Sequence, residues 1–410
     1  MIPRHLKASI LAALKDTPVI LLVGPRQSGK TTLARSLVGK AFPARYLSMD
    51  DPAVLAAARA DPDAFLSDLK GPAVLDEVQK APGLAPSLRA LVDRDRRPGR
   101  FLLTGSADVL LTHPFADALV GRMEILHLWP FSQGEIEKRK ERFLNSLFRK
   151  SLPSSPMVGE EKDRILSRAL RGGFPEPLGR TKDRAAAWFS SYVATVLQRE
   201  VRELSRIDGL DELPRLLNLL AARATGILNF SEISRTAGIP QTTLKRYIAL
   251  LEHTFLIRRL PAWTNNPSKR LVKAPKILFT DTGLLSHLAG WSLPGLKAHP
   301  DASGPLLENF AAMEILKQAS WSKRPARLYH FRLASGREVD LVLEGPAGRV
   351  VGIEIKARTA LDATSFKGLE ALSETAKDNF HRGIVLYTGK ERIAFGRNLH
   401  ALPFSSLWTL

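Results

Sequence analysis

The chain has 410 residues, more than one hydrophobic core ordinarily serves, so two or three domains are expected. It is 44% hydrophobic and 25% charged, and no apolar run approaches the roughly 20 residues needed to span a bilayer. The absence of cysteine excludes disulfides, thiol catalysis and thiolate zinc sites. With no sustained apolar core at its start, the sequence reads as a cytoplasmic protein that makes no use of membranes. Lys and Arg number 60 against 41 Asp and Glu, and the surplus is uneven. Residues 1–135 carry 17 basic and 14 acidic side chains, whereas residues 223–276 carry 10 and 2. A balanced front and a basic rear favour a polyanionic partner, most simply DNA.

Taken in chain order, residues 19–37 read VILLVGPRQSGKTTLARSL. The spacing predicts a buried strand over 19–23, a turn over Gly24, Pro25, Arg26, Gln27, Ser28 and Gly29, and a helix from Thr32. That is the G-x-x-x-x-G-K-T pattern, whose backbone N–H groups curl around a phosphate. Lys30 then reaches the β and γ oxygens of ATP or ADP, and Thr31 stands ready to hold Mg²⁺. In PAVLDEVQKAP a strand ends at Asp76 and Glu77, at the edge where open α/β sheets place ligand chemistry. Two acids there also suit a helix N-cap; with a phosphate loop upstream, Asp76 reads as a holder of Mg²⁺ and Glu77 as the group that orients or deprotonates water. The next strand, RFLLTGSAD, ends in Thr104 and Ser106, hydroxyls expected to sense the γ-phosphate. Arg122, in LVGR, reads either as a cation for transition-state charge, acting across a subunit boundary, or as half of a structural ion pair.

GPRQSGKTTLAR, VLDEVQ, LLTGS, LVGR and LHLWPFSQGE together resemble the ATPase core of a widespread prokaryotic AAA+ group, in which an uncharacterised second region follows the motor. The resemblance continues through GGFPEP and KAPKILFTDTGLLSHLAG, and so covers most of the chain. It implies ATP binding and hydrolysis and assembly into a homo-oligomer, a ring or a dimer.

Residues 138–165 shift from basic to Ser/Pro-rich, which reads as a linker or exposed insertion. A helical section is expected over 166–222. In NFSEISRTAGIPQTTLKRYIALLEH the apolar spacing predicts two helices joined at Gly238, the layout of a helix-turn-helix. Its second helix points Gln241, Thr242, Lys245 and Arg246 outward, and a two-stranded wing follows with Lys269, Arg270 and Lys273 near phosphates. Winged-helix units also bind proteins, so a protein partner stays open. In the last part, strands carrying Asp340 and then Glu354-x-Lys356 resemble the PD-(D/E)xK nuclease core. Asp340 and Glu354, with Glu308 from the preceding helix, would hold Mg²⁺, and Lys356 would orient water.

The expected fold class is therefore α/β, a P-loop AAA+ core over 1–137. A helical and winged-helix middle (the winged helix over 223–295) and an α/β nuclease-like domain over 296–410 would follow it. The expected function is ATP-driven DNA handling, with an ATP-gated nuclease or a nucleotide-controlled switch on a protein as rivals.

Overall fold

The computed structural model describes residues 2–106, 113–153, 159–204 and 212–410. Five strands, β1 (Val19–Val23), β2 (Arg45–Ser48), β3 (Ala73–Asp76), β4 (Phe101–Gly105) and β5 (Met123–His127), form a parallel sheet in the order β2-β3-β4-β1-β5. Strands β1, β3 and β4 are buried along their whole length, as parallel strands covered on both faces must be. Alternation divides their side chains between two cores. Ile20, Leu22, Val74 and Leu102 pack with the helices Leu6–Ala13 and Lys30–Leu37, while Val19, Leu21 and Leu75 pack with the helix Leu84–Arg94.

The middle of the chain shares a single core. Phe174, Phe189, Leu216, Leu220, Leu244, Ile248 and Leu285 belong to one buried cluster, so no boundary separates a helical section from the segment after 223. The two expected helices are present as Phe230–Ala237 and Gln241–His253, joined at Gly238, whose φ of 71° places it in the left-handed region that glycine tolerates. Strands β6 (Ile257–Leu260) and β7 (Lys276–Phe279) pair antiparallel. The expected wing differs in its body, because Pro267–Val272 between them is a short helix, started by Asn266 as N-cap.

In the last part β8 (Arg327–Arg332), β9 (Glu338–Glu344), β10 (Val350–Lys356), β11 (Phe380–Tyr387), β12 (Ile393–Ala394) and β13 (Leu399–Pro403) form a sheet in the order β12-β13-β11-β10-β9-β8. The strand pairs β8/β9 and β9/β10 are antiparallel. Pairing of β10 with β11 is parallel and needs a crossover, supplied by the helix Lys367–Ala376. That helix covers one face, and the helix Ser303–Trp321 the other, through Leu306, Leu307 and Phe310 against Leu341, Ile353 and Ile355.

The segment expected to be a linker or exposed insertion, 138–165, contributes core residues where it is described. Phe143, Leu144, Leu147, Phe148, Leu152 and Ile165 are buried in the same core as those C-terminal strands. The polar composition concealed an apolar set that shares the core of the sheet. Among the described residues no helix is long and apolar enough to cross a membrane.

Candidate functional site

The phosphate loop follows β1 directly. A Cβ on Gly24 would come 2.1 Å from the Leu128 carbonyl oxygen, so only glycine fits there. Gln27 and Gly29 both adopt positive φ, 60° and 94°, which bends the chain so that the helix Lys30–Leu37 begins pointing at the loop's concavity. The Lys30 ammonium crosses this concavity and donates to the carbonyls of Gly24 and Pro25, each at 2.9 Å. Burial pulls its pKa down to about 8. The buried Ser28 hydroxyl has no hydrogen-bond partner, and the Arg26 carbonyl lies 3.5 Å from the Tyr192 hydroxyl. Thr32, the third residue of the helix, is exposed. A narrow, donor-rich cradle around a buried lysine suits a polyphosphate, which would stabilise the charge that burial disfavours.

Thr31 Oγ1 donates to Asp76 Oδ2 at 3.0 Å, uniting the loop with the end of β3. Asp76 also accepts from Tyr46 Oη at 2.7 Å and from Thr104 Oγ1. The Tyr46 hydroxyl is pushed up to about 12, first by burial and then by its bond to Asp76. The hydroxyl of Thr104 in turn accepts from the Glu77 backbone N–H at 3.2 Å. Thr104 is thus engaged on both sides and positions Asp76 and Glu77, where the sequence suggested contact with phosphate. Glu77 has a left-handed φ of 57°, uncommon outside glycine and asparagine. Its carboxylate accepts from Gln79 Nε2, which lies 3.2 Å from Ser106 Oγ as well. A threonine hydroxyl and a carboxylate that already face each other offer the oxygen ligands that would suit Mg²⁺. Tyr46 and Gln79 escaped the sequence reading, although Gln79 stands inside the quoted VLDEVQ.

Arg122 does not join this group within the chain. Its carbonyl accepts from Val19 N, at the start of β1, whereas the phosphate loop leaves the other end of that strand. The guanidinium pairs with Asp93, with Nη2 to Oδ2 at 2.9 Å, so the ion-pair reading describes it here.

Along the helix Gln241–His253, Leu244, Tyr247, Ile248 and Leu251 are buried and Gln241, Thr242, Lys245 and Arg246 exposed, the division the spacing predicts. Lys269 and Lys273 are exposed too, Lys273 lying 3.3 Å from the Arg332 carbonyl. Arg270 is not a free phosphate contact. It forms two 2.8 Å bonds to Glu344 and lies over the rings of Tyr329 and Trp263. The bidentate fit of guanidinium to carboxylate directs it inward.

The C-terminal carboxylates converge as expected, but with an unexpected companion. Asp340 on β9 accepts from Ile355 N at 2.8 Å, and Lys356 Nζ donates to Glu354 Oε1 at 2.7 Å on β10. Between Glu308 and Asp340 stands the ammonium of Lys276, from β7, 2.6 Å from Glu308 Oε1 and 3.7 Å from Asp340 Oδ1. Burial, with Asp340's negative charge next, raises Glu308 and Glu354 to about 8 each. Among the described residues no three His, Cys, Asp or Glu side chains are placed to share a metal ion. Two members of the expected Mg²⁺ set of Glu308, Asp340 and Glu354 thus have a lysine from a distant segment between them.

Residues 16–137 match a family model described as an AAA domain. Residues 162–294 and 303–407 match two models described as domains of unknown function, DUF8612 and DUF4143. Over 408 residues the chain is 34% identical to the uncharacterized protein Rv2008c of Mycobacterium tuberculosis and to its counterpart Mb2031c of Mycobacterium bovis, covering 99% of this chain and 84% of each relative. Two solved structures are similar over part of the chain. Thermotoga maritima RuvB T158V has a TM-score of 0.30 at 18% identity, over 63% of this chain and 90% of its own. The Saccharomyces cerevisiae Hsp104-ADP complex has a TM-score of 0.28 at 14% identity, over 79% and 46%. At such scores neither likeness bears on function.

Proposed function

Because this chain belongs to the family of the mycobacterial protein Rv2008c and carries the α/β P-loop fold of AAA ATPases at its front, we propose that it hydrolyses ATP with Mg²⁺ and uses the turnover to rearrange bound DNA. The observation that carries the first half is the continuous hydrogen-bonded path from Thr31 through Asp76 and Thr104 to Glu77. Lys30 and the loop N–H groups bind and orient the phosphates. Thr31 and Asp76 would hold Mg²⁺, which when bound neutralises charge on the β and γ oxygens. Glu77 orients the attacking water and accepts its proton, while Ser106, through Gln79, holds that carboxylate in place.

The second half rests on charge and exposure. Residues 223–276 carry 10 basic and 2 acidic side chains. Gln241, Thr242, Lys245 and Arg246 crowd the first turns of one exposed helix face, the part of such a helix that enters a major groove. The protein acts as a homo-oligomer in this reading: Arg122 lies at the far end of β1 from its own phosphate loop, so it would meet transition-state charge only across a subunit boundary.

The test is steady-state ATP hydrolysis with linear, single-stranded and four-way-junction DNA, with Lys30→Ala as the blank. Stimulation that differs among the DNA forms supports the reading and names the preferred one. Turnover indifferent to all three rejects the DNA half and turns attention to a protein partner; no turnover above the blank rejects the whole.

A further inference from the structure

Lys276 is a cation buried among acids that its own stretch of sequence does not contain. It is 4% exposed, on the first residue of β7, in the middle segment, yet its ammonium lies among carboxylates of the C-terminal sheet and its flanking helix. Its backbone cannot easily withdraw. Lys276 forms a bridge with Ile227, Thr225 N donates to the Ile277 carbonyl at 2.8 Å, and Leu228 N donates to the Pro275 carbonyl at 2.8 Å. Three residues on, Asn309, the neighbour of Glu308, holds the Phe279 N–H and carbonyl at 2.7 and 2.8 Å. The strand is thus fixed on both flanks of the lysine.

The cluster contains Glu308, Asp340 and Glu354 against Lys276 and Lys356. One carboxylate oxygen, Glu354 Oε2, is buried with no partner. Mg²⁺ or Mn²⁺ bound by Glu308 and Asp340 would need oxygens at about 2.0–2.2 Å. An ammonium 2.6 Å from one of those carboxylates and 3.7 Å from the other already occupies that space. Two cations that close, both shielded from water, repel strongly.

We propose that Lys276 is a built-in cation that takes the place of a divalent metal between Glu308 and Asp340. The C-terminal carboxylates then serve as an ionic joint that fastens the middle segment to the C-terminal sheet, and the nuclease-like constellation is closed to metal in this arrangement. The joint needs no nucleotide turnover and stands or falls separately from it.

The experiment uses the full chain without nucleotide and Mn²⁺ as the probe, with free Mn²⁺ followed by electron paramagnetic resonance. Wild type, Asp340→Asn, Lys276→Met and the double variant are compared, and circular dichroism confirms folding. Wild type and Asp340→Asn should bind Mn²⁺ alike. Lys276→Met, which keeps most of the length of the side chain and loses its charge, should gain one site at least tenfold tighter than the background, and the double variant should lose it. A wild-type Mn²⁺ site that disappears in Asp340→Asn overturns the proposal, as does a folded Lys276→Met that gains no site. Should Lys276→Met not fold, the comparison of wild type with Asp340→Asn decides alone: equal binding supports the metal-free joint and an Asp340-dependent site refutes it.

Discussion

The side-chain amide of Gln79 is hydrogen-bonded to the Glu77 carboxylate and lies 3.2 Å from the Ser106 hydroxyl. Since Glu77 itself adopts a strained, left-handed backbone conformation, its carboxylate depends on this amide for its direction. Gln79→Ala should lower kcat for ATP about tenfold, the effect of losing roughly 1.4 kcal/mol of positioning in the transition state. The affinity for a fluorescent ATP analogue should change less than about twofold, because the phosphate cradle is untouched. Asparagine, with a shorter reach, should rescue little, and glutamate should be worse than alanine through like-charge repulsion. Equal losses in affinity and turnover for Gln79→Ala would instead mark a structural role.

Nucleotide binding should depend on pH in a direction fixed by Lys30. Burial holds its pKa at about 8 in the free protein, and a bound triphosphate stabilises the ammonium. Above that pH the free protein loses this proton while the complex keeps it, so binding takes up a proton. Affinity should fall as pH rises through about 8, approaching tenfold per pH unit. Calorimetry at about pH 9 in two buffers of different ionisation enthalpy reads the uptake directly; a dissociation constant that stays flat from about pH 7 to 9.5 contradicts it.

Arg270 and Glu344 tie the segment between β6 and β7 to the C-terminal sheet by two parallel bonds. Breaking them by Arg270→Ala should cost about 1.5–3 kcal/mol, since it leaves a half-buried carboxylate without its charged partner. The apparent Tm should fall by roughly 2–4 °C. Lysine cannot reproduce the fork, so Arg270→Lys should recover less than about half of the loss. The salt dependence of DNA binding should not change, which separates this internal role from a phosphate contact.

Lys245 and Arg246, by contrast, are exposed and unneeded by the core. Replacing both with alanine should leave thermal stability within about 0.5 kcal/mol. The slope of log affinity for DNA against log salt should become shallower by about 2, roughly one unit for each phosphate no longer neutralised. An unchanged slope would place the DNA path elsewhere on the molecule.

What could be read before the structure was local in the chain. The phosphate loop, the buried strand before it, the acids at the end of β3 and the two helices about Gly238 are each encoded by spacing over fewer than about twenty-five residues. What could not be read was delivered by distant segments. Tyr46 meets Asp76 from a neighbouring strand, Glu344 claims Arg270 from 74 positions away, and Lys276 reaches carboxylates on two later elements. Basic side chains in one stretch looked alike as phosphate contacts, and only the position of each acid partner distinguishes them. The burial of Phe143 and Leu147 was hidden for the same reason, because they show their purpose only beside the C-terminal sheet.

Asn309 offers the sharpest test of how the helix Ser303–Trp321 holds the middle segment. Its amide imitates a strand: Oδ1 accepts from Phe279 N at 2.7 Å and Nδ2 donates to Phe279 O at 2.8 Å. Asn309 and Phe279 are both fully buried, so water cannot replace either bond. Removing the amide leaves a backbone donor and an acceptor unpaired, each costing about 1–3 kcal/mol. Asn309→Ala mixes this with a cavity, so Asn309→Leu, which keeps the number and branching of the side chain's heavy atoms, is the complementary variant. Both should be destabilised by about 2–5 kcal/mol, and the Phe279 amide should lose hydrogen-exchange protection before amides in the core of the front sheet. Leucine that behaves like wild type would mean that Asn309 contributes volume alone, and that β7 is held to the C-terminal helix by Lys276 without its help.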